Sequence, residues 1–262
     1  MALKLDHIVI AVDDLDRAFA DYTALGFTVI RGGEHANGIT HNVLVVFQDG
    51  AYLELIAWKR PDPGMRWSDT FQRSGEGFVD YALLPDPIEE VVAAAQARGL
   101  DIASPEPGGR NRPDGERLEW KTARSPGSDV PFLCGDVTPR ALRVQEGDVR
   151  IHPNGVTGVA ALTIAVSDLD ASLARNAALL GTHPANAPYG AEIGGAPART
   201  VTLPLGDATT VTLATPAGDD GELAASLAAR GQGPFSVAFR APGGHGPLPH
   251  DKSHGARLSI VR

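Results

Sequence analysis

The sequence predicts an α+β protein built from tandem β-α-β-β-β units that pair into two half-open barrels, with the last unit truncated. The first observation is a duplication, because the tripeptide Ile-Ala-Val at residues 10–12 recurs at residues 164–166, an offset of 154 positions. The second is that each copy reads as an apolar strand, an aspartate suited to an N-cap and an amphipathic helix. The third is that β-rich runs separated by turn residues follow each helix.

The first unit, residues 5 to 59, opens with the strand LDHIVIAV and continues with a helix that ends at Gly26. The runs FTVIRGG, HNVLVVFQD and AYLELIAW follow as three strands. A second unit begins at FVDYALLPDPIEEVVAAAQARGLDIAS, which reads as strand, helix, glycine and strand, and it ends with RLEWKTAR and VPFLCGD. Pairing two such units closes a concave sheet around a cavity.

The third unit begins at VAALTIAV and continues with ARTVTLPLG and ATTVTLAT. The fourth is truncated, because the tail PGGHGPLPHDKSHGARLSIVR after GPFSVAFRA has no room for a full helix. Its histidines, His245, His250 and His254, are predicted to lie in a solvated loop. We therefore predict a first domain with a candidate active cleft at residues 1–136, a connection at 137–154, and a second, degenerate domain of the same kind at 155–262.

Composition limits the classes of partner. The chain has 43% hydrophobic and 21% charged residues, a globular composition, and a net charge of -9, which disfavours nucleic acids and anionic membranes. The first apolar run is too short for a signal peptide, so we expect a cytoplasmic protein with a small-molecule partner, as a monomer or homodimer. The single cysteine, Cys134, excludes an intrachain disulfide and a thiolate cage for zinc.

Two residues stand out inside apolar strands. Alternation places Leu5, His7 and Val9 on one face of the first strand, and Tyr52, Glu54 and Ile56 on one face of AYLELIA. An isolated carboxylate in an apolar interior costs several kcal/mol, so Glu54 needs a partner. A direct hydrogen bond to His7 would meet that need.

Several short motifs resemble the vicinal oxygen chelate superfamily, and specifically its glyoxalase-like group, of the glyoxalase, bleomycin resistance and dioxygenase type. They are LDHIVIAVDDLD, GGEHANGITHNVL, DGAYLELIA, RNRPDGERLEW and PFL, and they span residues 4 to about 136. Their order and spacing carry the resemblance more than any one of them. Ile39 stands where a glycine of the family's pattern is expected.

The resemblance implies a divalent metal ion, Fe, Mn, Ni or Zn, with His7 and Glu54 as ligands. Asp80 falls where the paired unit should present a third ligand, and His35 or His41 could complete the set instead. Leu133 or Cys134 occupies the place of the expected last carboxylate. The C-terminal half has lost both main candidates, because the offset of 154 leads from His7 to Ala161 and the fourth-strand carboxylate falls at about Thr212. 

Other residues are predicted to bind substrate. Thr40 and Asn42 belong to the family's turn motif, although ordinary turn chemistry is the alternative. Tyr52 and Trp120 could form cavity walls, and Trp120 could equally pack in the core. Arg112, in the hairpin GGRNRPDG, could hold a substrate carboxylate if that hairpin covers the cavity, and otherwise it lies in a solvated turn.

The predicted function is that of a metal-dependent enzyme with lyase or isomerase chemistry on a small oxygenated organic substrate, with His7, Glu54 and His35 as catalytic residues. Three alternatives remain open. One is a non-catalytic protein that sequesters a small molecule, as resistance proteins do. Another is a relative of ring-cleaving dioxygenases, in which the C-terminal half would be expected to carry the metal. The third is a metal-free enzyme with His7 as base and Glu54 as its orienting partner.

Overall fold

The computed structural model describes residues 3–182, 184, 187–206 and 208–262. The strands are β1 (Lys4–Ala11), β2 (Ile30–His35), β3 (Thr40–Val46), β4 (Tyr52–Trp58), β5 (Gly77–Leu84), β6 (Glu106–Asn111), β7 (Arg117–Ala123), β8 (Phe132–Asp136), β9 (Gly158–Ala165), β10 (Tyr189–Ile193), β11 (Ala196–Pro204), β12 (Thr210–Pro216), β13 (Gly233–Arg240), β14 (Gly246–Pro247) and β15 (Arg257–Val261). The α-helices are α1 (Leu15–Ala24), α2 (Arg66–Ser74), α3 (Ile88–Ala97), α4 (Arg140–Arg143), α5 (Leu169–Leu180) and α6 (Gly221–Arg230), with a 3₁₀ turn at Gly147–Arg150.

The first two units form one closed barrel in the strand order β1-β4-β3-β2-β6-β7-β8-β5. Within each unit the first and last strands are parallel, and the units join where β1 pairs antiparallel with β5 and β2 pairs antiparallel with β6. The predicted half-open barrel therefore closes completely in the N-terminal half. Closure leaves this half without free sheet edges.

The C-terminal half is a seven-stranded open sheet in the order β10-β11-β12-β9-β13-β15-β14. Its third unit repeats the first, with β9 parallel to β12. The fourth unit has no helix between β13 and β15 among the described residues, only the two-residue strand β14 and turns. The α+β class, the tandem units and the truncated last unit are confirmed.

The predicted N-caps of α1 and α5 and the glycine at the end of α5 are present. The side chain of Asp14 accepts hydrogen bonds from the backbone N–H groups of Asp16 and Arg17, at 2.8 and 3.1 Å, and so caps α1. Asp168 caps α5 in the same way. The latter helix ends at Gly181 with a φ of 68°, which is the left-handed conformation that glycine adopts at low cost.

The main core lies between the outer faces of the strands and their helices, and it extends across both halves. It contains alternate residues of β1 and β4, namely Ile8, Ile10, Leu53 and Leu55. The opposite faces of the same strands therefore point into the barrel. None of the helices in the described ranges is both long and apolar enough to cross a membrane.

The segment after β8 packs against the barrel. Val144, which follows α4, is buried in a cluster with Leu44, Val46 and Tyr52, which lie at one end of β3 and β4. This segment falls in the region predicted as a connection, and it covers one end of the barrel interior.

His254 differs from its prediction as a solvated residue. Its side chain is buried, with Nδ1 2.8 Å from Oε1 of Glu76 and Nε2 3.3 Å from Oδ2 of Asp21. The tail folds back onto the first barrel, and this long-range contact was not visible in a loop-like sequence. His245 and His250 are exposed, as predicted.

Candidate active site

A cavity of about 280 Å³ lies inside the closed barrel. Its exposed lining residues, Ala36, Asn37 and Pro107, mark its mouth. Its charged or titratable lining groups belong to His7, His35, Tyr52, Glu54, Asp62, Arg110, Arg124, Cys134 and Arg143. Trp67, Trp120 and Phe132 contribute aromatic walls. Two histidines and a carboxylate thus share a small space inside the barrel with three guanidinium groups.

A bulge in β1 brings His7 and its neighbour Asp6 together. The pairing of β1 with β5 shifts register between Leu5 and His7. Asp6 Oδ2 consequently lies 2.7 Å from His7 Nδ1, while Leu5 belongs to the outer core. The prediction that Leu5 shares the face of His7 is therefore wrong, because strict alternation fails at a bulge. 

The His7 ring is held on two further sides. Tyr52 stacks on it, with centroids 4.7 Å apart and an interplanar angle of 13°. Phe132 meets it edge-on at 5.3 Å. Packing therefore fixes the ring plane, and the hydrogen bond to Asp6 fixes which nitrogen faces the cavity.

Two arginines hold Asp6. Arg143 Nη1 lies 2.7 Å from Asp6 Oδ2, and Arg140 Nη1 lies 2.6 Å from Oδ1. Burial raises the pKa of Asp6, but Arg143, His7 and Arg140 outweigh burial and hold that pKa well below its usual range. Arg143 also donates to the Tyr52 hydroxyl at 2.8 Å, which links the carboxylate to the ring stacked on His7.

Glu54 points into the cavity, and its neighbours explain a carboxylate in this apolar strand. Asn42 Nδ2 donates to Oε1 at 2.7 Å. His7 Nε2 lies 3.5 Å from Oε2, and His35 Nε2 lies 3.5 Å from Oε1. Burial raises the pKa of Glu54, but His35, His7, Asn42 and Arg110 together lower it below its ordinary value. Glu54 is therefore ionised at neutral pH.

His35 is neutral and oriented. Burial is the main cause that lowers its pKa, and its Nδ1 lies 2.9 Å from the Thr40 hydroxyl. Because Nε2 faces the ionised Glu54, the hydrogen-bond pattern favours a hydroxyl donated to Nδ1 and a proton on Nε2. Trp120 meets the His35 ring edge-on at 6.0 Å.

The Asn42 side chain fits only beside a glycine. A Cβ added to Gly32 would lie 2.0 Å from Asn42 Oδ1, far inside van der Waals contact. A glycine in the sequence Gly-Gly-x-His is thus required by the close approach of the amide that holds Glu54. Thr40 and Asn42 therefore serve the site rather than the turn alone.

Two predicted residues lie elsewhere. Asp80 Oδ2 accepts from Arg66 at 2.5 Å, from Trp67 Nε1 at 2.8 Å and from Arg124 at 3.2 Å, so it does not join His7 and Glu54 as a ligand. 

Arg112 also departs from its prediction, because it pairs with Asp114 at 2.6 Å and lies outside the barrel cavity. Arg110, on strand β6, lines the cavity instead. Its guanidinium donates to the carbonyl groups of Gly32 and Arg143, and it forms no ion pair with a described carboxylate. 

Sequence reasoning missed several residues of the site: Asp6, Arg110, Arg124, Phe132 and Arg143. A signal existed for Arg110 and Arg124, since alternation along a barrel strand puts every second residue inside. No local signal marked Arg143, whose segment resembles a linker.

The residues do not fit the divalent metal that the resemblance implies. In the described ranges, the three side chains whose donor atoms converge are Asp6, His7 and Cys134, rather than the predicted set. The Asp6 carboxylate is already paired with two arginines, and burial raises the pKa of the Cys134 thiol to about 12, so it stays protonated. Three guanidinium groups lining the same cavity also oppose a cation.

A family model described as a glyoxalase-like domain matches residues 5–180, two thirds of the chain. The protein belongs to the glyoxalase-like domain family. The match covers the whole barrel and continues through the first strand and helix of the C-terminal sheet. A comparison with curated proteins found no match.

Solved structures share the fold of this glyoxalase-like protein. A hypothetical protein from Staphylococcus aureus is similar with a TM-score of 0.69 and 15% identity, covering 99% of this chain and 100% of that one. A mutant of 4-hydroxymandelate synthase from Streptomyces coelicolor has a TM-score of 0.66 and 16% identity, covering 92% and 71%. A fusion of a xylose isomerase-like TIM barrel with 4-hydroxyphenylpyruvate dioxygenase has a TM-score of 0.56 and 16% identity, covering 92% and 38%.

Proposed function

We propose that the barrel is the active site of a metal-independent enzyme that moves a proton on a small oxygenated organic substrate, which is isomerase or lyase chemistry. The observation that carries this proposal is the pair of His7 and Asp6 at the cavity wall. Asp6 accepts from Nδ1, so Nε2, the ring nitrogen of His7 beside Glu54, is the one left to exchange a proton with a substrate. A carboxylate that orients an imidazole in this way selects one tautomer and stabilises the imidazolium that forms.

In the proposed step, His7 Nε2 removes a proton from a carbon next to a substrate carbonyl. The C–H bond breaks, an N–H bond forms, and the electron pair moves onto the carbonyl oxygen to give an enolate. The new imidazolium lies between Asp6 and Glu54, 2.7 and 3.5 Å from its two nitrogens. Return of the proton to another position gives an isomer, and loss of a leaving group gives a lyase product.

The enolate oxygen needs hydrogen-bond donors or positive charge. Arg110 supplies a buried guanidinium with no carboxylate of its own, and the His35 Nε2–H group supplies a neutral donor. Donors fixed before the reaction stabilise developing charge without reorganising. Arg143 acts at a distance, because it keeps Asp6 ionised and so keeps His7 oriented.

The three solved structures support the fold only. At 15–16% identity, they do not indicate what individual residues do. We do not retain a metal-dependent mechanism, because Asp80 and Asp6 are held by arginines and three guanidinium groups line the cavity. A non-catalytic binding protein is the rival hypothesis, since aromatic walls and guanidinium groups suit ligand binding as well.

Solvent-deuterium exchange tests the proposal without knowledge of the product. A panel of small 2-oxo acids and hydroxyketones is incubated with the protein in D₂O after chelator treatment, and loss of the proton next to the carbonyl is followed by NMR. We expect exchange for at least one compound with the wild type, and a loss of about 10²–10⁴-fold with His7→Gln.

His41→Gln is the matched control, because His41 lies on β3 and outside the cavity. It should exchange at the wild-type rate. Binding of panel compounds without any exchange would favour the rival, and exchange that a chelator abolishes and a divalent metal restores would contradict metal independence.

A further inference from the structure

Arg124 is placed at the cavity wall between two aromatic rings. Its Cζ lies 4.6 Å from the centroid of Trp67 and 4.0 Å from that of Phe132. Such stacking holds a guanidinium in one plane and leaves its edge for hydrogen bonds. The side chain lines the cavity and is about one third exposed, at 36%, so a ligand can reach it.

The only carboxylate paired with Arg124 in the described ranges is shared. Asp80 Oδ2 lies 3.2 Å from Arg124 Nη1 and 2.5 Å from Arg66 Nη2. One negative charge therefore faces two positive charges. Arg66 does not line the cavity, whereas Arg124 does. The uncompensated charge is thus presented on the cavity side.

Most other charged groups around the cavity have a partner. Asp6 and Asp136 are matched by Arg140 and Arg143. Glu54 and Arg110 bear opposite charges and interact through the cavity. Asp62 also lines the cavity, so the positive charge that suits an anionic group is the local charge at Arg124.

The free donors of Arg124 favour a carboxylate. A guanidinium has five N–H donors in a planar fork, and the hydrogen bond found for Arg124 uses one nitrogen, Nη1 to Asp80. The remaining N–H groups match the two oxygens of a carboxylate. The Phe132 ring packs against both groups, with its centroid 4.0 Å from Arg124 Cζ and 5.3 Å from the centroid of the His7 ring. Arg124 and His7 line the same cavity, so one small molecule bound there can contact both.

We infer that the substrate is a small monocarboxylic acid and that Arg124 binds its carboxylate, with Trp67 and Phe132 enclosing the adjoining carbon skeleton. This inference rests on the proposed function, because it orients the reacting carbon toward His7. It adds Arg124 as a residue that determines specificity.

Binding of matched acids and amides tests it. The probes are phenylacetate with phenylacetamide and isovalerate with isovaleramide, which differ within each pair by charge. Binding is followed by tryptophan fluorescence, because Trp67 and Trp120 line the cavity. We expect an acid to bind the wild type at least tenfold more tightly than its amide, and Arg124→Gln to weaken the acid at least tenfold while leaving the amide unchanged.

Arg66→Gln is the matched control, since it removes the other guanidinium from Asp80 but not a cavity group. It should bind the acids as the wild type does. Equal binding of acid and amide, an unchanged affinity in Arg124→Gln, or no binding of either acid would each overturn the inference. 

The two proposals fail separately. Charge-selective binding that is intact in His7→Gln, with no deuterium exchange by the wild type, would overturn the proton-transfer function and leave the carboxylate site. Exchange on neutral hydroxyketones without any preference for acids would overturn the carboxylate site and leave the proton-transfer function.

Discussion

The two halves of the chain share a backbone plan and differ in what it encloses. In the barrel, Val9 is paired with Glu54 across β1 and β4, and in the C-terminal sheet Thr163 is paired with Thr212 across β9 and β12. Thr212 is therefore the structural counterpart of Glu54, as the repeat predicts. The same register carries an ionised carboxylate in one half and a hydroxyl in the other.

The space corresponding to the cavity is filled in the C-terminal half. Leu223 of α6 packs with Ala165, Ala198, Ala214 and Phe235 on the strands. Small alanines let the helix approach the sheet closely. In the barrel, α2 instead places Trp67 in the cavity wall. In this protein, the fold therefore encloses a cavity where a complete partner unit closes the sheet, and not where the last unit is truncated.

The two halves also differ in buried charged residues. The barrel holds Asp6 with Arg140 and Arg143 from the segment after β8. The equivalent of Asp6 in the repeat is Ala160.

Asp6→Asn should give the barrel the chemical inertness of the C-terminal sheet. The amide would no longer select the tautomer of His7 or stabilise its protonated ring, so deuterium exchange should fall by about 10³-fold or more. Thr212→Val, in the other half, should leave exchange within twofold of the wild type. A folded Asp6→Asn protein, judged by circular dichroism, with near wild-type exchange would refute the role of this pair.

Arg143→Ala should destabilise the barrel by about 3–5 kcal/mol, because it leaves the buried Asp6 and the partly buried Asp136 with one cation fewer. The C-terminal control is Arg257→Ala, which breaks an exposed pair with Glu222 and should cost no more than about 1 kcal/mol. Urea unfolding measures both. Equal losses in the two variants would show that the buried network contributes no more than a surface pair.

Leu223→Ala should destabilise the C-terminal sheet by about 2–4 kcal/mol, since it removes a buried side chain from the filled space. Leu227→Ala is the control on the same helix, because Leu227 is only partly buried, and its cost should be smaller. Urea unfolding followed by circular dichroism tests both. A loss below about 1 kcal/mol for Leu223→Ala would mean that α6 does not fill this half.

The smallest effect concerns pH and is confined to the barrel. Burial lowers the pKa of His35 below its ordinary value of 6.5, so below that pH the unfolded chain binds more protons at this residue than the folded chain. This contribution therefore makes the free energy of unfolding fall as pH drops below about 6.5. 

His35→Gln should lose less stability than the wild type between pH 7.5 and 5.5. Thermal unfolding at several pH values measures the difference, and His245→Gln, at an exposed site, should behave as the wild type does. Identical pH dependence in His35→Gln and the wild type would contradict the neutral, buried state of His35.

The order of strands and helices in the repeated units was predictable from sequence, because each element has a local sequence pattern. The offset repeat, the helix caps and the strand periodicity identified the units, and alternation in AYLELIA placed Glu54 inside with Tyr52. The motif from Gly32 to Asn42 likewise brought His35, Thr40 and Asn42 to the cavity.

Only the tertiary structure decided how those residues are held. Arg143 pairs with Asp6 across 137 positions of sequence, and no local pattern encodes such a contact. The bulge that turns Asp6 toward His7 arises from pairing with β5, so it contradicts the alternation of its own strand. Asp80 matches a ligand position by sequence, but in the structure its carboxylate forms ion pairs with Arg66 and Arg124. Periodicity determines which face a side chain takes, whereas the partners it meets there depend on strands and loops that the fold brings together.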